Sequence, residues 1–136
     1  MTSAKSILSR VLFVLYLGAV AALCFLSSEN LPDIQRTIWG IPTDKVAHFA
    51  MFLPFPILFY LAWDHRSAKA LGAITFALLN MAAGALVAAI TEWVQKYLPT
   101  RSMDLHDFGS DLLALGIATA LVFIIDVTHL KSRKNV

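Results

Sequence analysis

Apolar residues in this chain gather into long blocks rather than into the narrow stripes of amphipathic elements. Ile7 to Leu26, Val46 to Trp63, Ala70 to Val94 and Phe108 to Val127 each run about 18 to 25 residues with few or no charges. At 1.5 Å of rise per helical residue, each block is long enough to cross roughly 30 Å of hydrocarbon. The pattern predicts an all-α polytopic membrane protein, a single domain over 1–136 folded as a compact bundle of four transmembrane helices. Between the first two helices, Pro32 and the Gly40-Ile41-Pro42 turn bracket a short stretch, Asp33 to Trp39, read as an interfacial helix. Within the second helix, Pro54 and Pro56 supply no backbone N–H. That helix is expected to bend and open a cavity a turn or two below His48.

Composition removes the soluble alternative. Of 136 residues, 58% are hydrophobic and only 15% charged, against about 25% charged in ordinary soluble domains. Lys5 and Arg10 precede the first apolar block as they would in a signal peptide. The block is long for such a signal, and Ala22-Leu23-Cys24 lacks the small residue that precedes a lipoprotein cysteine, so an uncleaved anchor is expected. Cys24 is the sole cysteine, which excludes an internal disulfide and a cysteine-based metal site.

Charge then orients the chain. Seven of the eleven basic residues (Lys5, Arg10, Arg66, Lys69, Lys131, Arg133 and Lys134) flank one end of the predicted bundle, and Arg36, Lys45, Lys96 and Arg101 the other. With an even number of spans, the bias favours both termini in the cytoplasm. Trp39, Trp93 and Tyr97 fall at the expected outer interface, and Tyr60 and Trp63 at the inner one. The C-terminal KSRK run is a topology signal that can touch anionic lipid; it is too short to imply nucleic-acid binding.

The remaining polar residues converge on that outer end. Thr43 or Asp44 can cap the second helix, and Asp44 and His48 stand four apart on one face. The third helix carries Asn80, Gly84, Ala88 and Glu92 at successive i+4 positions, a small-residue stripe ending in a carboxylate, with Gln95 next. Asp104, Asp107 and Asp111 follow at i, i+3 and i+7 of the fourth. A carboxylate at the hydrocarbon edge is tolerated when it faces the bundle interior, water or a partner, so Glu92 and Asp111 are expected to point inward.

These residues carry a resemblance. Asp44-Lys45, His48 and Phe52, then Glu92, Gln95, Pro99-x-Arg101, Asp107 and Asp111, resemble the VanZ-like family of small integral membrane proteins over about residues 43 to 120. Ala114 stands where the family commonly has glycine, and Val94 where short members often have a second histidine. The resemblance implies a bacterial inner-membrane protein of the cell envelope, and a link to resistance against the glycopeptide antibiotic teicoplanin. It implies no established reaction.

Glu92, His48 and Asp107 are the candidate catalytic residues; Arg101, Lys45, Gln95, Asp111 and Asp44 are the candidate binding residues. Glu92 or His48 would move a proton, Arg101 would hold an anionic group, and Asp107 and Asp111 would bind a cation or orient the others. The same acids can instead form a salt-bridge network with Lys96 and Arg101, and His48 can serve as base, shuttle, metal ligand or packing bond. Asn80 is expected to bond across helices, and His65, His106 and His129 to be solvated.

The expected partner is a lipid or lipid-linked envelope precursor, with a glycopeptide antibiotic and a second copy of the chain as further possibilities. The function expected is an outward-facing polar pocket for such a head group. The alternative is a non-catalytic binding protein that alters how an amphiphile sits at the membrane. An ion or proton pathway ranks below both, because only Asn80 and Thr75 lie beneath Glu92, with Asp126 near the far end. No phosphate-cradling glycine-rich loop and no serine nucleophile elbow is present.

Overall fold

The computed structural model describes residues 3–25, 37–63 and 66–134, with side chains described over 4–25, 37–63 and 66–130. The elements are α1 (Ser3–Phe25), β1 (Thr37–Ile38), β2 (Ile41–Pro42), α2 (Thr43–Phe52), α3 (Phe55–Ala62), α4 (Ala70–Gln95) and α5 (Leu105–Lys134). Four helical spans among the described residues are long and apolar enough to cross a membrane: Ala4–Phe25, Thr43–Ala62, Ala70–Gln95 and Leu105–Leu130. The predicted all-α, four-helix architecture is the one observed.

The distribution of side chains fits a lipid environment. Leu15, Leu71, Leu78, Leu86 and Leu113 are exposed, whereas Asn80, Glu92, Asp111 and Asp126 are almost wholly buried. A soluble domain reverses that preference for its charged groups. Lipid tails solvate leucine as well as a protein core does, so close packing and interhelical polar contacts hold such a bundle.

The central helix is α5, which packs on α4, α2 and α3, while α1 lies against α3 and α4. The predicted stripe on α4 faces inward along its whole length: Asn80, Gly84, Ala88 and Glu92 are all buried. At Gly84 a β-carbon would lie 2.4 Å from Leu115 Cδ2 and 3.1 Å from Phe55 Cδ1. Only glycine permits this approach. Asn80 donates to the Pro56 carbonyl at 2.9 Å, the interhelical bond its position suggested.

The second span breaks between α2 and α3, at Leu53 and Pro54, where both residues keep right-handed helical angles. The interruption is one of hydrogen bonds: neither Pro54 nor Pro56 can donate to the preceding turn. Tyr16 on α1 donates its hydroxyl to the Met51 carbonyl at 2.6 Å, supplying a donor beside the break. Large side chains pack beside the bend, where the sequence suggested an opening. Phe52, Phe55, Ala88 and Leu115 fill it as part of the buried core.

Before α2 the chain departs from the predicted interfacial helix. Thr37–Ile38 pairs antiparallel with Ile41–Pro42, so this part of the stretch is a tight hairpin; 26–36 lies outside the described residues. Trp39 and Gly40 have φ of 50° and 80°. A two-residue turn matching the twist of its strands needs positive φ at both positions, and that local demand overrides helical propensity. Trp39 is 98% exposed.

At the opposite end of the bundle, Asp126 on α5 accepts the Ser67 N–H at 3.0 Å and the Ser67 hydroxyl at 2.5 Å, tying the α3–α4 connection to the fourth span. Arg10 donates to the Ala62 carbonyl at 3.2 Å nearby.

Candidate functional site

The site is assembled by the N-terminal ends of α2 and α5 and the C-terminal end of α4. Two helix N-termini point the positive ends of their dipoles at the same region, which favours anions there. Asp104 uses that field directly. It precedes α5, and its Oδ1 accepts the His106 N–H at 2.8 Å, satisfying one of the helix's free donors. On α2 the residue before the helix is Pro42, which offers no side-chain cap, and Asp44 within the first turn accepts the Lys45 N–H through Oδ1 at 2.9 Å. Because β2 runs straight into the helix, Thr43 is already its first helical residue.

His48 is buried, and its Nδ1 lies 3.1 Å from Asp111 Oδ1 and 3.4 Å from Oδ2. Glu92 Oε1 is 3.7 Å from the same nitrogen, and on the far side of the ring Nε2 lies 3.8 Å from Asp107 Oδ2. Three candidate catalytic residues and one candidate binding residue thus meet around one imidazole. Glu92 is 1% exposed and Asp111 fully buried, as the pattern predicted.

The supporting contacts are as informative. Glu92 Oε2 accepts the Asp104 N–H at 3.0 Å, holding the α4–α5 connection against the last turn of α4. Lys45 extends from the first turn of α2 to Asp107 Oδ1 at 2.9 Å and Asp104 Oδ2 at 3.0 Å, with Asp44 Oδ2 at 3.6 Å. Sequence reasoning placed Lys45 among the ligand contacts and did not anticipate this bridge from α2 to α5. The contact spans 59 and 62 residues of chain, so no local spacing encodes it.

Other candidate residues stand apart. Asp44 is exposed, and its Oδ1 accepts the Lys45 N–H at 2.9 Å; it shares no buried face with His48. Gln95 is buried and donates to the Cys24 carbonyl at 3.1 Å, bracing the end of α1. Arg101 reaches the Leu23 carbonyl at 3.5 Å, again at the end of α1. Lys96 is exposed, with its ammonium 6.0 Å from the centre of the Tyr97 ring. His106 and His129 are exposed as expected, and His65 lies outside the described residues.

Outside the spans, the His106 N–H and then the Lys45 ammonium hold the Asp104 carboxyl below the usual carboxylate range. A depressed folded-state value makes a contribution to stability that is present above the unfolded value and lost as pH falls through the folded one. On acidification of detergent-solubilised protein, Asp104→Asn should therefore remove the part of the stability loss that occurs below about pH 4. Unfolding midpoints of the two proteins should converge as pH falls through that range. A constant gap would contradict the assignment.

One donor atom from each of His48, Glu92 and Asp107 lies within 4.8 Å of the others, and a second group of this kind joins Asp44, Asp104 and Asp107. Chemically, the arrangement offers an imidazole held by one carboxylate between two others, beside a fixed ammonium. Such a site can shuttle a proton, hold a cation or bind a group carrying both charges. Against this geometry, comparison of the chain with protein-family models, curated proteins and solved structures finds no match.

Proposed function

We propose that this end of the bundle is an outward-facing polar site that engages the head group of a lipid or lipid-linked cell-envelope molecule. In this reading the protein lies in a bacterial inner membrane, with both termini cytoplasmic, as a VanZ-like protein. The observation that carries it is the buried Glu92 Oε1, which takes no hydrogen bond among the described residues although it sits among His48, Asp107 and Asp111. A buried polar atom without a partner carries a penalty of about 1–3 kcal/mol, and in a native protein it points to a role beyond packing. Its place at the ends of three spans, next to Lys45, suits a molecule whose tails lie in lipid and whose head carries charged or hydroxyl oxygens. The skewed distribution of basic residues supports the orientation. Glu92 and His48 are the groups able to exchange a proton with the head group, and Lys45 is the cation near enough to attract it.

The test is mass spectrometry of lipids and lipid-linked precursors from cells producing wild type or Glu92→Gln at matched membrane levels, with teicoplanin susceptibility measured in parallel. A species that appears or disappears only with the wild type is expected. Unchanged lipids with a wild-type-specific change in susceptibility would support binding without catalysis. Identical lipids and identical susceptibility would refute the proposal.

A further inference from the structure

The oxygens and nitrogens around His48 divide into two sets. One set is committed to support. Asp111 holds Nδ1, Lys45 holds Asp107 Oδ1, and the Asp104 N–H holds Glu92 Oε2. The other set comprises His48 Nε2, Asp107 Oδ2 and Glu92 Oε1, one further atom of each of the same three residues. Nε2 and Oδ2 face one another at 3.8 Å, too far for a hydrogen bond; Oε1, 3.7 Å from Nδ1, is buried and takes no hydrogen bond among the described residues, and one donor atom of each of the three residues lies within 4.8 Å of the others.

We propose that His48, Glu92 and Asp107 bind a divalent transition-metal cation of the zinc or manganese class, with Asp111 orienting the histidine. Each requirement of such a site has a counterpart here. A metal-binding histidine usually gives its other ring N–H to a carboxylate, which fixes the tautomer and raises the basicity of the ligating nitrogen. Asp111 stands in that position. Metal–ligand bonds of about 2.0–2.2 Å place tetrahedral donors about 3.3–3.6 Å apart, a small contraction from 3.8 Å for Nε2 and Oδ2 and a larger closing of Glu92 from within the 4.8 Å that bounds the group.

Charge points the same way. Glu92, Asp107 and Asp111 put three carboxylates into a nearly dry volume, against Lys45 and a histidine. A divalent cation neutralises the excess that Lys45 alone leaves. One imidazole with two carboxylates suits zinc or manganese rather than calcium, which takes six to eight oxygens. Three protein donors leave a position open for water or an anionic oxygen. Sequence reasoning considered Asp107 and Asp111 as cation ligands; the geometry replaces Asp111 with Glu92 and makes Asp111 a positioning residue.

The cation site stands independently of the head-group reading: a chain that binds metal yet leaves envelope lipids and susceptibility unchanged refutes only the latter. The test uses the full chain in detergent, stripped with chelator and titrated calorimetrically with Zn2+ or Mn2+ alone. One saturable equivalent per chain is expected. Glu92→Gln and His48→Gln should each weaken it at least tenfold, and Asp111→Asn by about 10- to 100-fold through loss of ligand orientation. His129→Ala, at an exposed histidine, should leave it unchanged. Absorption of the wild type loaded with Co2+ provides a readout that needs no variant: intense d–d bands of a low-coordinate site with a nitrogen donor are expected. No saturable binding, binding that survives both Glu92→Gln and His48→Gln, or a spectrum matching hydrated Co2+ would each overturn the proposal.

Discussion

Replacing Gly84 with alanine is expected to lower stability by about 1–3 kcal/mol, and leucine at the same position should prevent the bundle from assembling. The added carbon would fall 2.4 Å from Leu115 Cδ2, inside any tolerable contact, and 3.1 Å from the Phe55 ring. Leu115 is fully buried and Phe55 nearly so, and both belong to the packed core at the α2–α3 bend. Both are enclosed by other core side chains, so a shift of either is passed on to the packing around it. Interiors packed to crystal-like density respond to one extra methyl group by shifting backbones or forcing side chains off their rotamers. Unfolding of detergent-solubilised protein gives the magnitude, and Gly84→Ala combined with Leu115→Ala distinguishes overpacking from a propensity effect. Alanine is the better helix former by about 1 kcal/mol, so a purely local effect would stabilise. If the single substitution is neutral or stabilising, the close approach of α4 to α5 is not what glycine provides.

Removal of the Lys45 ammonium should have a comparable effect through different physics. Lys45→Met leaves the Asp107 carboxylate, with its side chain only 10% exposed, without the cation 2.9 Å away. Breaking a fully buried ion pair from one side costs about 3–5 kcal/mol. Lys45 is 22% exposed and Asp104 35%, so water recovers part of that, and about 1–3 kcal/mol is expected. Lys45→Met with Asp107→Asn should be less destabilised than the sum of the single changes, by about 1 kcal/mol or more. Additivity within about 0.3–0.5 kcal/mol would mean that the bridge from α2 to α5 contributes nothing measurable. Lys45 belongs to the proposed head-group site as well, so this cycle reads stability and not activity.

The division between what the chain alone declared and what folding added follows the range of the forces involved. Four spans, the inward stripe from Asn80 to Glu92 and the burial of Asp111 were legible in the sequence, because lipid imposes a strict local rule. A helix that crosses hydrocarbon must hide its carboxylates, and a 3.6-residue period says which side they occupy. The bend at Pro54 and Pro56 was legible for a similar reason, since the missing N–H groups are a property of the residues themselves. What lay beside it was not: tertiary packing put Phe52 and Phe55 where an opening was expected.

Local turn geometry also overruled the helical reading of Thr37 and Ile38, through two positive-φ residues that periodicity does not register. In the site, i, i+4 spacing grouped Asp44 with His48, but Asp44 is exposed, and it is the half-buried Lys45 that reaches the carboxylates around the buried His48. The residues that could carry chemistry were therefore named by the sequence, through their cost in a membrane. Their pairing was decided by the tertiary structure alone: Asp111 behind the imidazole, Lys45 across to α5, and one oxygen of Glu92 without a hydrogen bond among the described residues. Contacts between helix ends some 60 residues apart depend on where the spans cross, and no local period in the chain records that.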